Sequence, residues 1–304
     1  MQVIRLPHII ALFGLLLGLG GYGCSGGGDR VSPFIEPLGI ALDSAGRIYV
    51  ADNGNYRIVR MDDMTGAGWT TFGTRGSGPG QFENLFGIAV DATGRIYGVD
   101  AQVVRVDDIS GAGWTTFGTQ GMGVNQFHGP DGVAVDAAGR VYVADLGNGS
   151  FPRIVRIDDM SGAGWAAFGT VGSGADQFSN PIGVDVDTLG RIYVVDSGNN
   201  RIVRVDDMSG TGWIAFGTNG RGKNQFSGAV GIAVDAAGRI YVADAGNSRI
   251  VRIDDMTGAG WTTLETLDAP LDVTLDTAGR IYVSDRGGIL RVNNMSGAGR
   301  VVYP

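Results

Sequence analysis

One short marker recurs along the chain and limits what it can fold into. The sequence Gly-Ile/Val-Ala/Asp-Val/Leu-Asp begins at Gly39, Gly87, Gly132, Gly183 and Gly231, and Asp272 takes the glycine's place in a sixth copy. The spacings are 48, 45, 51, 48 and 41 residues. A period of that size marks a repeat architecture, in which one small unit packs against its own copies. Each copy holds four short β-type runs. In the fifth copy these are 231–235, 239–244, 249–254 and 261–264, the middle two rich in Ile, Val and Tyr. Between them lie Ala236-Ala237-Gly238, Ala245-Gly246-Asn247-Ser248 and Asp255-Met256-Thr257-Gly258-Ala259-Gly260, whose Gly, Asn and Asp suit tight turns. Four strands of this length form a small sheet that cannot bury both its faces alone. Six such sheets packed radially can, and only short outer edges remain. The expected fold is all-β: a six-bladed β-propeller of four-stranded antiparallel blades, spanning residues 34–304.

Composition agrees with this reading. The 54 glycines among 304 residues would suit disorder, but 43% of the chain is hydrophobic and falls in short β-like runs. The glycines are therefore read as turn residues. Lysine occurs once, at Lys223, and the net charge is -8. A nucleic-acid face would need clustered Lys and Arg, so no nucleic-acid partner is expected. Cys24 is the sole cysteine, which excludes an intrachain disulfide, and the histidines are His8 and His128.

The lines Gly76-Ser77-Gly78-Pro79-Gly80-Gln81-Phe82, Gly87-Ile88-Ala89-Val90-Asp91 and Gly94-Arg95-Ile96-Tyr97 resemble the NHL repeat family. So does Val-Ala-Asp-x-Gly-Asn-x-Arg-Ile at 242–250, with a Val-Val-Asp version at 194–202. The resemblance implies a propeller and, usually, a binding role without naming a ligand. Some relatives bind single-stranded RNA through a basic face, which this chain lacks. Others act in ubiquitin ligation with a cysteine-rich zinc domain, which one cysteine cannot supply. Arg300 to Tyr303 stands in register with Trp261 to Leu264, so each blade is expected to carry its own four strands. Residues 28–33 remain available to add one.

The N-terminus reads as a targeting segment. Arg5 provides a positive start, and Ile9 to Leu19 is an apolar run too short to span a bilayer. Gly21-Tyr22-Gly23 precedes Cys24, and Ser25-Gly26-Gly27-Gly28 follows. This resembles a bacterial lipoprotein signal, although Gly21 stands where such signals usually carry Leu. The resemblance implies lipidation at Cys24, with 1–23 as signal peptide and 24–33 as a flexible tether. A plain secretory signal cut after Gly23 and an uncleaved anchor are the alternatives. The mature chain is expected outside the cytoplasm, in the outer membrane or periplasm as a lipoprotein, or secreted. It would touch the membrane only through its N-terminal lipid.

In a repeat protein, residues present in every copy are first candidates for building the blade. Sixteen of the 22 arginines occupy three register positions. Aspartates before the first turn (Asp43 and its equivalents) and at the end of the second strand (Asp52 and its equivalents) are read as acceptors for turn N–H groups. Paired acids such as Asp62-Asp63 recur in five copies, with Asn293-Asn294 in the sixth. They are read as turn caps on a solvated rim. Ca²⁺ is the cofactor such a rim would attract; otherwise none is expected. The recurrent Tyr and Trp are read as packing residues. Outside the pattern stand Asp185 and Asp272, candidate channel acids on the innermost strand, and Asp131 near its start. A hydrated channel is the plainer reading of these three.

Loop variation is the better guide to function. The loops after the second strand and those between blades differ in length, and the topology should bring both sets to one face. Tyr56, Phe86, Gln102, His128, Asp131, Phe151, Pro152 and Arg286 are its distinctive residues and form the candidate binding face. No catalytic residue or metal ligand is assigned. The expectation is a non-catalytic binding or scaffold module, monomeric, with a protein or glycan partner at the cell envelope. The alternative is a divalent-metal-assisted lyase or lactonase using the central channel, for which only His128 and a few Glu are at hand.

Overall fold

The computed structural model describes residues 33–304, apart from 266. Cys24, the signal segment and nearly all of the tether lie outside the described residues.

Blade 4 shows how the sequence makes the unit. Pro181–Val186, Ile192–Asp196, Arg201–Val205 and Ile214–Phe216 pair in order as one antiparallel sheet. Ile192–Asp196 is buried along its whole length, because neighbouring blades cover both faces of the sheet. That is why the middle strands read as apolar runs rather than as alternating ones. Five more sheets repeat the plan, and together they make six four-stranded antiparallel blades. The last ends on Val301–Tyr303, so no strand is exchanged between the first and last blades among the described residues.

The innermost strands are Pro37–Leu42, Ile88–Val90, Pro130–Val135, Pro181–Val186, Ala229–Val234 and Pro270–Leu275. They follow one another around a ring, with the sixth beside the first. This explains the marker glycine. A Cβ on Gly39 would stand 2.8 Å from the Phe86 carbonyl oxygen, and one on Gly87 2.5 Å from that of Asp131. Adjacent blades meet backbone to backbone at this level, where any side chain would collide. At the sixth marker position the constraint is met differently. Asp272 reaches across the seam, and its Oδ2 accepts the Ile40 N–H at 3.0 Å.

The strands differ in detail from the sequence expectation. The innermost strand of blade 5 begins at Ala229, and Asp235 belongs to the turn beyond it. Among the described residues, four inter-blade loops contain a two-residue parallel ladder, such as Thr74–Arg75 with Gln81–Phe82. The Gln81 side chain holds that loop by accepting the Gly78 N–H at 3.0 Å. Four blades have a short 3-10 turn after the second strand.

Candidate functional site

Antiparallel order sends the loop after the second strand and the inter-blade loop to the same face, as expected. A buried clamp locks them together. In blade 4, Asp196 accepts the Ser179 N–H at 2.6 Å, Asn199 Nδ2 at 2.8 Å and Arg201 Nε at 2.8 Å. Arg201 then donates to the carbonyls of Ser173 and Gln177 in the inter-blade loop. Its guanidinium lies 5.5 Å from the Trp213 ring centre. Blades 1, 3 and 5 repeat the device with Asp52, Arg57 and Trp69, with Asp145, Arg153 and Trp165, and with Asp244, Arg249 and Trp261. These aspartates therefore do more than cap a turn. Burial pushes the Asp196 carboxyl above its ordinary pKa against the pull of its donors. The clamp arginine is what makes so deep a charge tolerable.

The predicted face residues spread over several blades. Phe151 is 51% exposed on blade 3. Arg153, two residues on, donates to the Met122 carbonyl at 2.8 Å, which places the loop bearing Met122 and Val124 beside it. Met122 is 47% and Val124 70% exposed. His128 is in the same blade. Its backbone N–H bonds Asp145, its Nε2 is 3.3 Å from Asn148 Nδ2, and its Nδ1 is buried with no hydrogen-bond partner. Tyr56 adopts a left-handed φ of 57° and stacks under Arg75, 5.1 Å away. Arg286 is exposed at the blade 6 hairpin tip. Gln102 occupies the clamp-arginine position of blade 2, where Asp100 is held instead by the N–H groups of Glu83, Asn84 and Ala101. One placement needs correction: Pro152 is buried. Phe86 is half-buried, and its backbone carbonyl accepts the Gly39 N–H at 3.0 Å across the seam. Met122 and Val124 escaped the sequence reading. Their signal was apolar character where the matching loops carry Ser77 and Pro79 or Arg221 and Lys223.

The three acids of the channel divide. Asp185 accepts the Val186 N–H at 2.8 Å and, across the seam, the Val234 N–H at 2.7 Å. Asp272 bonds Val273 and Ile40 in the same manner. Both are clips between blades rather than hydrated side chains. Asp131 makes no such bond, and desolvation alone pushes its carboxyl up to about 7. Desolvation likewise raises Asp185 to about 6 and Asp272 to about 7, against two backbone N–H donors each. All three are half-buried, crowded by protein on most sides. Among the described residues, no three His, Cys, Asp or Glu side chains converge as a metal site would need.

The opposite face is architecture. Asp187 accepts the N–H groups of Leu189 and Arg191, the Arg191 guanidinium and the Tyr193 hydroxyl. Burial pushes its carboxyl up, but these donors outweigh it and leave the pKa below the ordinary value. In the paired acids, Asp63 caps its turn through the N–H and hydroxyl of Thr65. Asn294 does the same for Ser296, so the turn itself requires no charge.

An aromatic trio fills each of five seams. Phe72, Phe82 and Trp114 meet between blades 1 and 2, and Tyr303, Phe34 and Trp69 meet between blades 6 and 1. The seam between blades 5 and 6 has Leu264, Leu267 and Arg300 at these positions. Beside it lies a cavity of about 300 Å³ lined by Leu267, Asp268, Asp285, Gly288 and Arg300, among others.

Comparison with known proteins agrees with this architecture. The NHL repeat model matches residues 34–61, 127–151, 178–205 and 226–253, which lie in the four blades that carry the clamp arginine. No curated protein matches the chain by sequence. Among solved structures, a streptogramin B lyase superposes with a TM-score of 0.63 at 14% identity, over 91% of this chain and 86% of that one. Virginiamycin B lyase from Staphylococcus aureus gives 0.60 at 15% identity, over 88% and 84%. A chain of a nidogen–laminin complex gives 0.66 at 19%, over 85% and 93%. At such identities the likeness is one of fold. The chain thus carries four NHL repeats within a six-bladed β-propeller, whose ring blades 2 and 6 complete.

Proposed function

We propose that the chain is an exported, non-catalytic binding module, anchored through Cys24 and docking a protein or glycan partner at the cell envelope. The observation that carries the reading is the exposed apolar group Phe151, Met122 and Val124 on the irregular loops of blade 3. Large apolar side chains exposed on neighbouring loops are the kind of surface that interaction sites use. It sits on loops held rigid by the Asp145–Arg153 clamp, so little ordering cost accompanies docking. The nidogen–laminin complex supplies a propeller of similar fold in a protein assembly.

Cross-linking in intact cells, followed by purification under denaturing conditions, tests this reading. The wild-type chain should yield one reproducible adduct, and the Met122→Asp/Phe151→Asp variant should lose it while keeping its melting temperature. An adduct unchanged in the variant would refute the assignment to this face. In the same preparations, Cys24→Ser should move the protein from the membrane to the soluble fraction. The lyase reading would gain instead from a stoichiometric divalent ion in the purified protein that Asp131→Asn displaces.

A further inference from the structure

Blade 6 has lost the clamp arginine, its aromatic partner and one of the blade's tight seams together, while keeping the buried acid they served. In blades 1, 3, 4 and 5 the acid pairs in register with the arginine: Asp52 with Arg57, Asp145 with Arg153, Asp196 with Arg201 and Asp244 with Arg249. In blade 6 the same pairing joins Asp285 to Gly288. The chain cannot restore the arginine there, because a Cβ on Gly288 would collide with the backbone of Tyr303 and Pro304. Arg300 replaces the tryptophan that elsewhere lies under the guanidinium.

Asp285 remains only 8% exposed. Its two oxygens accept the N–H groups of Asp268 at 2.9 Å and Gly287 at 3.2 Å. A carboxylate has about four acceptor positions, and in the other blades an arginine Nε takes one of them. Burial pushes the Asp285 carboxyl above its ordinary pKa, and the charge of Asp268 acts in the same direction against those N–H groups and Arg300. The cavity beside it is bounded by Ile289, Leu290 and Val302, which suit an aliphatic stem, and by Asp268 and Asp285, which suit a cationic head. Two carboxylates against the one Arg300 leave the lining net negative. Gly287, Arg300 and Val302 are exposed, so the cavity opens to the surface.

We propose that this cavity is a guanidinium site that receives an arginine side chain of a partner protein, in the seat that the chain's own arginine fills in four sister blades. The proposal deepens the reading of this face as a docking surface and places one contact there by chemistry.

Titration calorimetry of the full chain with acetyl-Gly-Arg-Gly-amide, its citrulline counterpart and agmatine tests it. The arginine peptide should bind one to one. Citrulline, of the same shape without the charge, should lose about tenfold or more in affinity. Asp285→Asn should abolish binding, but Asp285 also holds the inter-blade loop. Gly287→Phe therefore serves as the second variant: Gly287 lines the cavity, its Cβ would meet nothing within 4 Å, and the substitution adds bulk there while keeping the backbone N–H that Asp285 accepts. It should abolish binding with the melting temperature unchanged. Equal affinity for citrulline, no binding of the arginine peptide, or full binding by Gly287→Phe would overturn the proposal. Agmatine binding as tightly as the peptide would overturn the assignment to a partner's side chain. Met122→Asp/Phe151→Asp should leave peptide binding intact, so failure of the blade 3 surface and failure of this site are separate results.

Discussion

Asp131 is one residue ahead of the blade 3 marker glycine, a position held elsewhere by Leu38, Phe86, Ile182, Val230 and Leu271. An acid in that register has no turn to cap and gains no neighbour's N–H, so desolvation acts on it without opposition. The sign of its effect on stability follows. An unfolded aspartate titrates near about 3.9, and the folded one near 7. Below about pH 4 both states are protonated and the residue costs nothing. From there to pH 7 the unfolded chain ionises first, and above pH 7 the full penalty is present. Asp131→Asn should therefore stabilise the protein at pH 8 by about 1–2 kcal/mol, allowing for its partial exposure, and leave it unchanged at pH 4. Equal shifts in melting temperature at the two pH values would refute this account. The sequence marked Asp131, Asp185 and Asp272 as departures from the repeat. It did not show that the latter two reach the next blade's backbone, since those partners lie 49 and 232 residues away.

The second-strand hairpin, with its clamp, is the element that turns the repeat into a rigid face. Its arginine bridges two loops that each carry exposed polar backbone, so in blades 1, 3, 4 and 5 the face is ordered by one ion pair each. Arg201→Ala should destabilise the protein by about 3–5 kcal/mol, because Asp196 is fully buried and would be left charged without its partner. The double variant with Asp196→Asn should cost less than the sum of the two single changes, and a thermodynamic cycle from denaturant melts measures the difference. The aspartate and arginine were legible as recurrent residues. Their pairing was not, because an acid at the end of one strand and a base at the start of the next look alike whether they join each other or a turn. The register supplies that information, as the Asp196–Arg201 partnership shows.

Closure of the ring is a property of the whole molecule. Tyr303 on the last strand fills the place that Phe72 takes between blades 1 and 2, and it meets Phe34 and Trp69 from the first blade. The first and last blades are thus joined by side-chain packing and by hydrogen bonds such as Asp272–Ile40, without a shared strand among the described residues. Tyr303→Ala should cost about 2–3 kcal/mol. Hydrogen exchange should show protection lost first in blades 1 and 6, with blades 3 and 4 unaffected. Uniform loss around the ring would refute a seam-specific role.

Blade number and blade composition could be read along the chain, because a repeat shows itself through spacing and a strand through its local run of residues. The closeness of inner strands at the marker glycine, the acids that clip one blade to the next and the cavity left by a missing arginine depend on residues far apart in sequence. Local chemistry selects a strand or a turn, but only packing in three dimensions determines which buried charge meets an arginine and which is held by backbone N–H groups alone or with a more distant charge.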